Sequence, residues 1–116
     1  MNSQEYFFER LERDLRAATD VYVPPGVDEH AYLAALAADI RDSRCRPHVV
    51  RASVVEPGLP GRNIGDVVTG VCVASRAGYW LVYDAENDVF LAFWGDRPDS
   101  LGAHGVFGSA LYCWSA

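Results

Sequence analysis

Lysine is missing from these 116 residues; all ten basic side chains are arginine, set against sixteen acids for a net charge of −6. Phosphate binding needs a cationic surface, so this charge argues against nucleic acid as a direct partner. The charge suits a solvated protein, or one that meets a basic partner. A GC-rich bacterial genome accounts for arginine without lysine, given the abundance of Ala, Val and Gly; the alternative is a selected use of the guanidinium fork to pair with carboxylates. No apolar run approaches the roughly 20 residues of a membrane-spanning helix, and the opening Met1-Asn2-Ser3-Gln4-Glu5 lacks the basic and apolar parts of a signal peptide. A cytoplasmic chain without membrane contact is expected. Cysteine is sparse and odd in number (Cys45, Cys72, Cys113), with no close pairing, so each is expected as a small buried apolar residue rather than part of a disulfide framework. The glycines at 58, 61 and 65 have no Gly-Lys-Ser/Thr ending and are followed by a strand pattern, which argues against a phosphate cradle. Repeats and linkers are absent too, leaving one domain over 1–116.

What the chain does have is a β-rich stretch from Val67 to Gly95 that predicts three successive strands. Tyr79-Trp80-Leu81-Val82-Tyr83 and Val89-Phe90-Leu91-Ala92-Phe93-Trp94 flank Asp84-Ala85-Glu86-Asn87-Asp88, a strand–turn–strand signature. A five-residue loop places Tyr83 opposite Val89, Leu81 opposite Leu91 and Tyr79 opposite Phe93, with Trp94 opposite Gly78. Trp80, Val82, Phe90, Ala92 and Trp94 then share the other face. A hairpin apolar on both faces must be covered on both, by the N-terminal helices on one side and by a curved sheet or a partner on the other.

Residues 2–18 predict an amphipathic helix, with Asn2 and Glu5 as a capping-box-like start. Phe8, Leu11, Leu15 and Ala18 form its apolar stripe, widened by Phe7. Glu9–Arg13 and Glu12–Arg16 are spaced for i, i+4 pairs on the solvated face. Pro24-Pro25-Gly26 breaks the chain. Asp28 can cap a second helix over roughly 29–42, striped by Leu33, Leu36 and Ile40. Pro47 to Val55 predicts a strand, followed by a Pro/Gly loop. Arg44, Arg46, Arg51 and Arg62 make this region locally basic. Leu101 to Ser109, with Gly102, Gly105 and Gly108, predicts an irregular crossing, and Ala110 to Ser115 a final strand.

Candidate chemistry is thin. Cys45 and His48 have a Cys-x-x-His spacing, but zinc takes about four ligands, and His30, Cys72, His104 and Cys113 offer no second paired motif. No metal and no cofactor are expected. Cys113, His104 and Asp99 could be assembled as thiolate, base and orienting acid, although an apolar strand around Cys113 would raise its pKa and leave it inert. Asp84, Glu86 and Asp88 in one loop, with Asp96 and Asp99 in the next, suit either ordinary turn chemistry or an acidic rim that steers a basic partner. The loop lacks the sixth-position glycine and closing glutamate of an EF-hand. Tyr79, Trp80, Trp94, Tyr112 and Trp114 are candidate interface anchors wherever they remain exposed.

The pattern Gly78-Tyr79-Trp80-Leu81-Val82-Tyr83-Asp84…Phe90-Leu91-Ala92-Phe93-Trp94-Gly95, in a small acidic chain with N-terminal helices, resembles the bacterial polymorphic-toxin immunity proteins, including the SUKH-like group. The resemblance covers mainly residues 70–95. It implies a protein that binds and blocks a toxin domain without turnover of its own, and it carries over no residue-specific role. The expected fold is α+β, with two N-terminal helices packed on a curved antiparallel sheet of about five strands. The expected function is an immunity- or antitoxin-like inhibitor, monomer or homodimer, that presents Asp84, Glu86, Asp88, Asp96 and Asp99 to a basic cognate toxin. Two readings remain beside it: a small enzyme or ligand-binding domain with an aromatic pocket near His104 and Cys113, and a structural subunit that docks its hairpin on another chain.

Overall fold

The computed structural model describes residues 3–17 and 20–116. Helix α1, Ser3–Ala17, buries Leu11 and Leu15 and turns its charged side chains outward or toward neighbours. The Asn2 cap and the Ala18 end of the stripe lie outside the described residues. Glu12 reaches across to Arg41 of α2 (Glu29–Asp42) at 2.9 Å rather than staying within its own helix. Asp28 caps α2 as its position suggests, its Oδ1 accepting from the Ala31 amide at 3.2 Å. No described helix is long and apolar enough to cross a membrane.

Five strands follow: β1 (Arg44–Val54), β2 (Val67–Arg76), β3 (Tyr79–Asp84), β4 (Val89–Trp94) and β5 (Leu101–Gly108). They run as an antiparallel meander, and the sheet closes on itself through a parallel pairing of Ala52–Val54 with Leu101–Ala103. Closure removes both sheet edges. The chain is thus α+β as expected, two N-terminal helices on a five-stranded sheet, with the curvature carried through to a barrel.

Two segments depart from expectation. The glycine-rich 101–108 segment is strand β5, because its backbone completes the ladder between β4 and β1. Ala110–Ser115 is a helix, α3, rather than a strand. Ser109 caps it by accepting from the Tyr112 amide, and Asp14 of α1 accepts from the Ala110 amide at 2.6 Å. Ala110, Leu111 and Cys113 all face the core, a spacing a helix satisfies and an alternating strand does not.

The hairpin register also differs by one residue. Asp84 pairs with Val89, Tyr83 with Phe90, Leu81 with Ala92, Trp80 with Phe93 and Tyr79 with Trp94. A four-residue turn replaces the five-residue loop because Asp84 belongs to the strand, and Trp94 therefore covers Tyr79 (rings 5.1 Å apart) rather than Gly78. Since a one-residue slip exchanges faces, the two face lists are redrawn. Val82, Leu91 and Phe93 fill the barrel interior with Val50, Ala52 and Val68. Leu81, Tyr83, Phe90 and Ala92 pack outward against Leu11, Leu15 and Ile40 of the two N-terminal helices, and against Leu111 and Cys113 of α3. The hairpin is covered on both faces, by helices and by its own barrel.

Candidate functional site

One of the five candidate acids is buried, and a second, though exposed, is tied to its neighbours. Asp84 is 2% exposed. Its carboxylate accepts from the Glu86 amide, from Asn87 Nδ2 at 2.9 Å and from the Arg62 guanidinium at 3.3 Å, so it holds the turn and offers a partner nothing. Asp88 occupies the left-handed region at φ 54. It accepts from the Tyr83 hydroxyl at 2.6 Å and from Arg10 Nε at 2.8 Å, while the Arg10 guanidinium lies over the Tyr83 and Phe90 rings. Glu86 is exposed at the tip. Asp96 and Asp99 are exposed too, but they follow β4 while the turn precedes it. Six residues of strand separate the two loops, roughly 20 Å at 3.3 Å per residue, so the five acids form no single rim.

The bonds from Tyr83 and Arg10 hold the Asp88 carboxyl below its usual range. A depressed carboxyl pKa contributes stability that is complete above the unfolded value and is lost as pH falls through the folded one. Asp88→Asn should therefore lower the unfolding free energy from urea titration slightly at pH 6, by no more than about 1 kcal/mol for so exposed a carboxylate. The gap should close as pH falls from the ordinary carboxyl range through the lowered folded value. A gap that stays constant across that window assigns the effect to lost packing instead.

Among the described residues, the barrel is bare along part of β1 and β2. Along β1, Val50, Ala52 and Val54 point inward while Val49, Arg51 and Ser53 point out, with Val55 exposed just beyond the strand. The register sets Val49 beside Val71, Arg51 beside Thr69 and Ser53 beside Val67. All of these outer residues but Val71, with Pro98, Asp99 and Ser100 of the β4–β5 loop, line an open groove of about 1040 Å³. Val49 is 68% exposed and Val67 63%. Of the five candidate acids, Asp99 alone lines this groove. None of the five aromatic anchors lines it. Tyr79, Trp80, Trp94 and Trp114 are half-buried; Trp80 donates to the Gly95 carbonyl and Trp114 to Asp39. Only Tyr112, 37% exposed, is open to solvent.

Cys45 and His48, singled out by their spacing, meet a third residue that spacing could not supply. His48 pairs directly with Cys72 across β1 and β2. Between Arg44 and His48 the register shifts, four steps of β1 running beside two of β2. In a regular strand residues three apart point to opposite faces. Pro47 lies inside the irregularity, where it cannot donate to the ladder, and the added residues let Cys45 and His48 converge. One ligand atom from each of Cys45, His48 and Cys72 falls within 4.8 Å of the others, with the two sulfurs 3.7 Å apart. Cys45 is half-buried rather than core. Its bond with Cys72, then the neighbouring His48, bring its thiol down to about 7, while that same bond and burial push Cys72 up.

The Cys113–His104 pair does not assemble. Cys113 is fully buried, its thiol donating to the Phe90 carbonyl at 3.4 Å and pushed upward in pKa by burial. His104 instead bonds Glu56 through Nδ1 at 2.7 Å and packs edge-on to Trp94. No protein-family model matches the chain, and comparison with curated proteins and with solved structures found no match for it.

Proposed function

We propose that this domain acts by binding another protein, as an immunity- or antitoxin-like inhibitor of a basic toxin. The observation that carries the reading is the bare side of β1 and β2. Val49, Val55 and Val67 stand exposed around Arg51 on the stretches of β1 and β2 away from the helices, which pack on the outer face of β3, β4 and the far part of β2. Exposed apolar side chains grouped on a rigid sheet and rimmed by polar residues suit a protein contact. Asp99 at the groove edge, Asp96 nearby and the net charge of −6 favour a basic partner and speed its approach. Glu86 and Asp88, at the far end of β4, contribute to the long-range field rather than to this contact. The toxin-blocking form of the proposal rests on the hairpin resemblance, and the binding form on the exposed face. The enzyme reading is weaker because its thiol is sealed in the core, away from His104.

The test pairs capture with rescue. Tagged wild-type chain and a Val49→Asp/Val67→Asp variant, matched in melting temperature, are used to capture partners from native lysate. The captured protein is then expressed with each form. The expected result is one stoichiometric partner with a basic, growth-arresting domain, whose toxicity the wild type relieves and the variant does not. Two buried carboxylates in the interface should weaken binding at least 100-fold, about 2.7 kcal/mol. Recovery of the chain alone removes the inhibitor reading; equal rescue by both forms moves the contact off this face.

A further inference from the structure

We infer that Cys45, His48 and Cys72 form a binding site for a soft d10 cation, zinc(II) or copper(I), at the end of the barrel where β1 begins. Three independent features of the geometry support this. The first is the sulfur separation. Two thiolates at about 2.3 Å from a tetrahedral zinc lie roughly 3.8 Å apart, and Cys45 Sγ and Cys72 Sγ are 3.7 Å apart. The second is the histidine tautomer. His48 Nδ1 lies 2.8 Å from the Arg46 carbonyl, which can only accept, so the ring proton sits on Nδ1 and the lone pair on Nε2. A backbone carbonyl bonded to the other ring nitrogen is the arrangement that orients ligating histidines and raises their basicity. The third is the β1 irregularity. Its effect is to bring Cys45 and His48, which a regular strand would hold on opposite faces, together over Cys72.

The ligand set also narrows the ion. Two sulfurs and one imidazole suit zinc or copper(I) and disfavour magnesium and calcium, which take oxygen ligands. Cys72 is fully buried and Cys45 half-buried, while His48 is exposed. The ion would therefore enter from the His48 side. Three protein ligands leave zinc a fourth position for water or an incoming group, whereas copper(I) accepts three. The partner-binding proposal is independent of this one, since neither the groove nor its rim includes Cys45 or Cys72.

The experiment uses the full chain, reduced and stripped of metal. Zinc(II) and copper(I) are each titrated in competition with a chromophoric chelator, and cobalt(II) serves as a spectroscopic stand-in. One equivalent of zinc or copper(I) should bind, and cobalt should give thiolate charge-transfer absorption with the intense visible bands of a four-coordinate site. Cys45→Ser should weaken binding by 100-fold or more and His48→Ala by 10-fold or more, both with unchanged far-ultraviolet circular dichroism because both sites lie near the surface. Cys113→Ser should bind as the wild type does. Stronger binding of zinc or of copper(I) decides which ion the site prefers, and either supports it. Absence of the cobalt charge-transfer band, or equal affinity in wild type, Cys45→Ser and His48→Ala, overturns the proposal.

Discussion

Asp84→Ala should lower the unfolding free energy by about 3–5 kcal/mol, the range seen when one member of a buried ion pair is removed. In a domain of this size that is a fall in Tm on the order of 10–20 °C. Asp84 is 2% exposed, and its two oxygens accept from Asn87, from the Glu86 amide and from Arg62. The Arg62 side chain is itself only 16% exposed. Alanine would leave that guanidinium without its carboxylate, and the turn amides without their acceptor, in a place where water reaches poorly. Asp84→Asn keeps one acceptor oxygen, for the Glu86 amide or for Asn87 and Arg62, but turns an NH2 donor toward the donors at the other position. It should therefore cost somewhat less than alanine but well above zero. Thermal melts of the two variants beside wild type decide the matter. A shift under about 2 °C for Asp84→Ala would mean that the carboxylate is not structurally required and is free for a partner after all. The same result would restore Asp84 to the acidic surface that its sequence position suggests.

Asp84 also shows how far the sequence could be read. Its position beside Glu86 and Asp88 suggests an exposed acidic loop, because charge patterning records sign and spacing but not direction. What turns it inward is Arg62, 22 positions away along the chain. Arg62 is visible in the sequence only as part of a basic stretch. The inward turn of Asp84 and the one-residue difference in register have a common cause. Counting Asp84 as turn rather than strand lengthens the loop by one residue and exchanges the hairpin faces. Elements set by local periodicity are legible: the Asp28 cap and bounds of α2, the stripe of α1, and three strands between Val67 and Trp94. Elements set by closure are not. Glycines 102, 105 and 108 carry no strand propensity, and β5 exists because β1 and β4 supply its partners. For α3 the local signal is Ser109 before an apolar run. Six apolar-rich residues fit a strand or a helix equally well until α1 and α2 are in place. The Cys45–His48–Cys72 cluster is half legible: the Cys-x-x-His spacing is in the chain, but Cys72 joins it only through strand pairing.

Gly105→Ala should cost about 2–4 kcal/mol, more than the same change at Gly61. Gly105 lies at φ +82, and a Cβ there would sit 2.4 Å from the Pro57 carbonyl oxygen and 3.3 Å from Gly58 Cα. These are backbone atoms, so no rotamer change relieves the contact, and the 57–58 segment must leave β5. That segment is tied on both sides. Glu56 bonds His104, the Val55 amide donates to the Ala103 carbonyl, and Leu59 is buried at 4% in the barrel core. Lifting Pro57 therefore pulls on the parallel closure of β1 on β5 and partly withdraws Leu59 from the interior. Gly61 separates this effect from the conformational one. It lies at φ +71, and a methyl group added there would meet nothing within 4 Å, so Gly61→Ala should cost only the left-handed penalty of about 1 kcal/mol. Urea unfolding of both variants compares the two terms directly. A clear excess for Gly105→Ala ties the closure of the barrel to the seating of Pro57 on β5. Equal losses would mean that the 57–58 segment yields freely, and that the edge of the groove at Val55 is softer than the sheet beneath it.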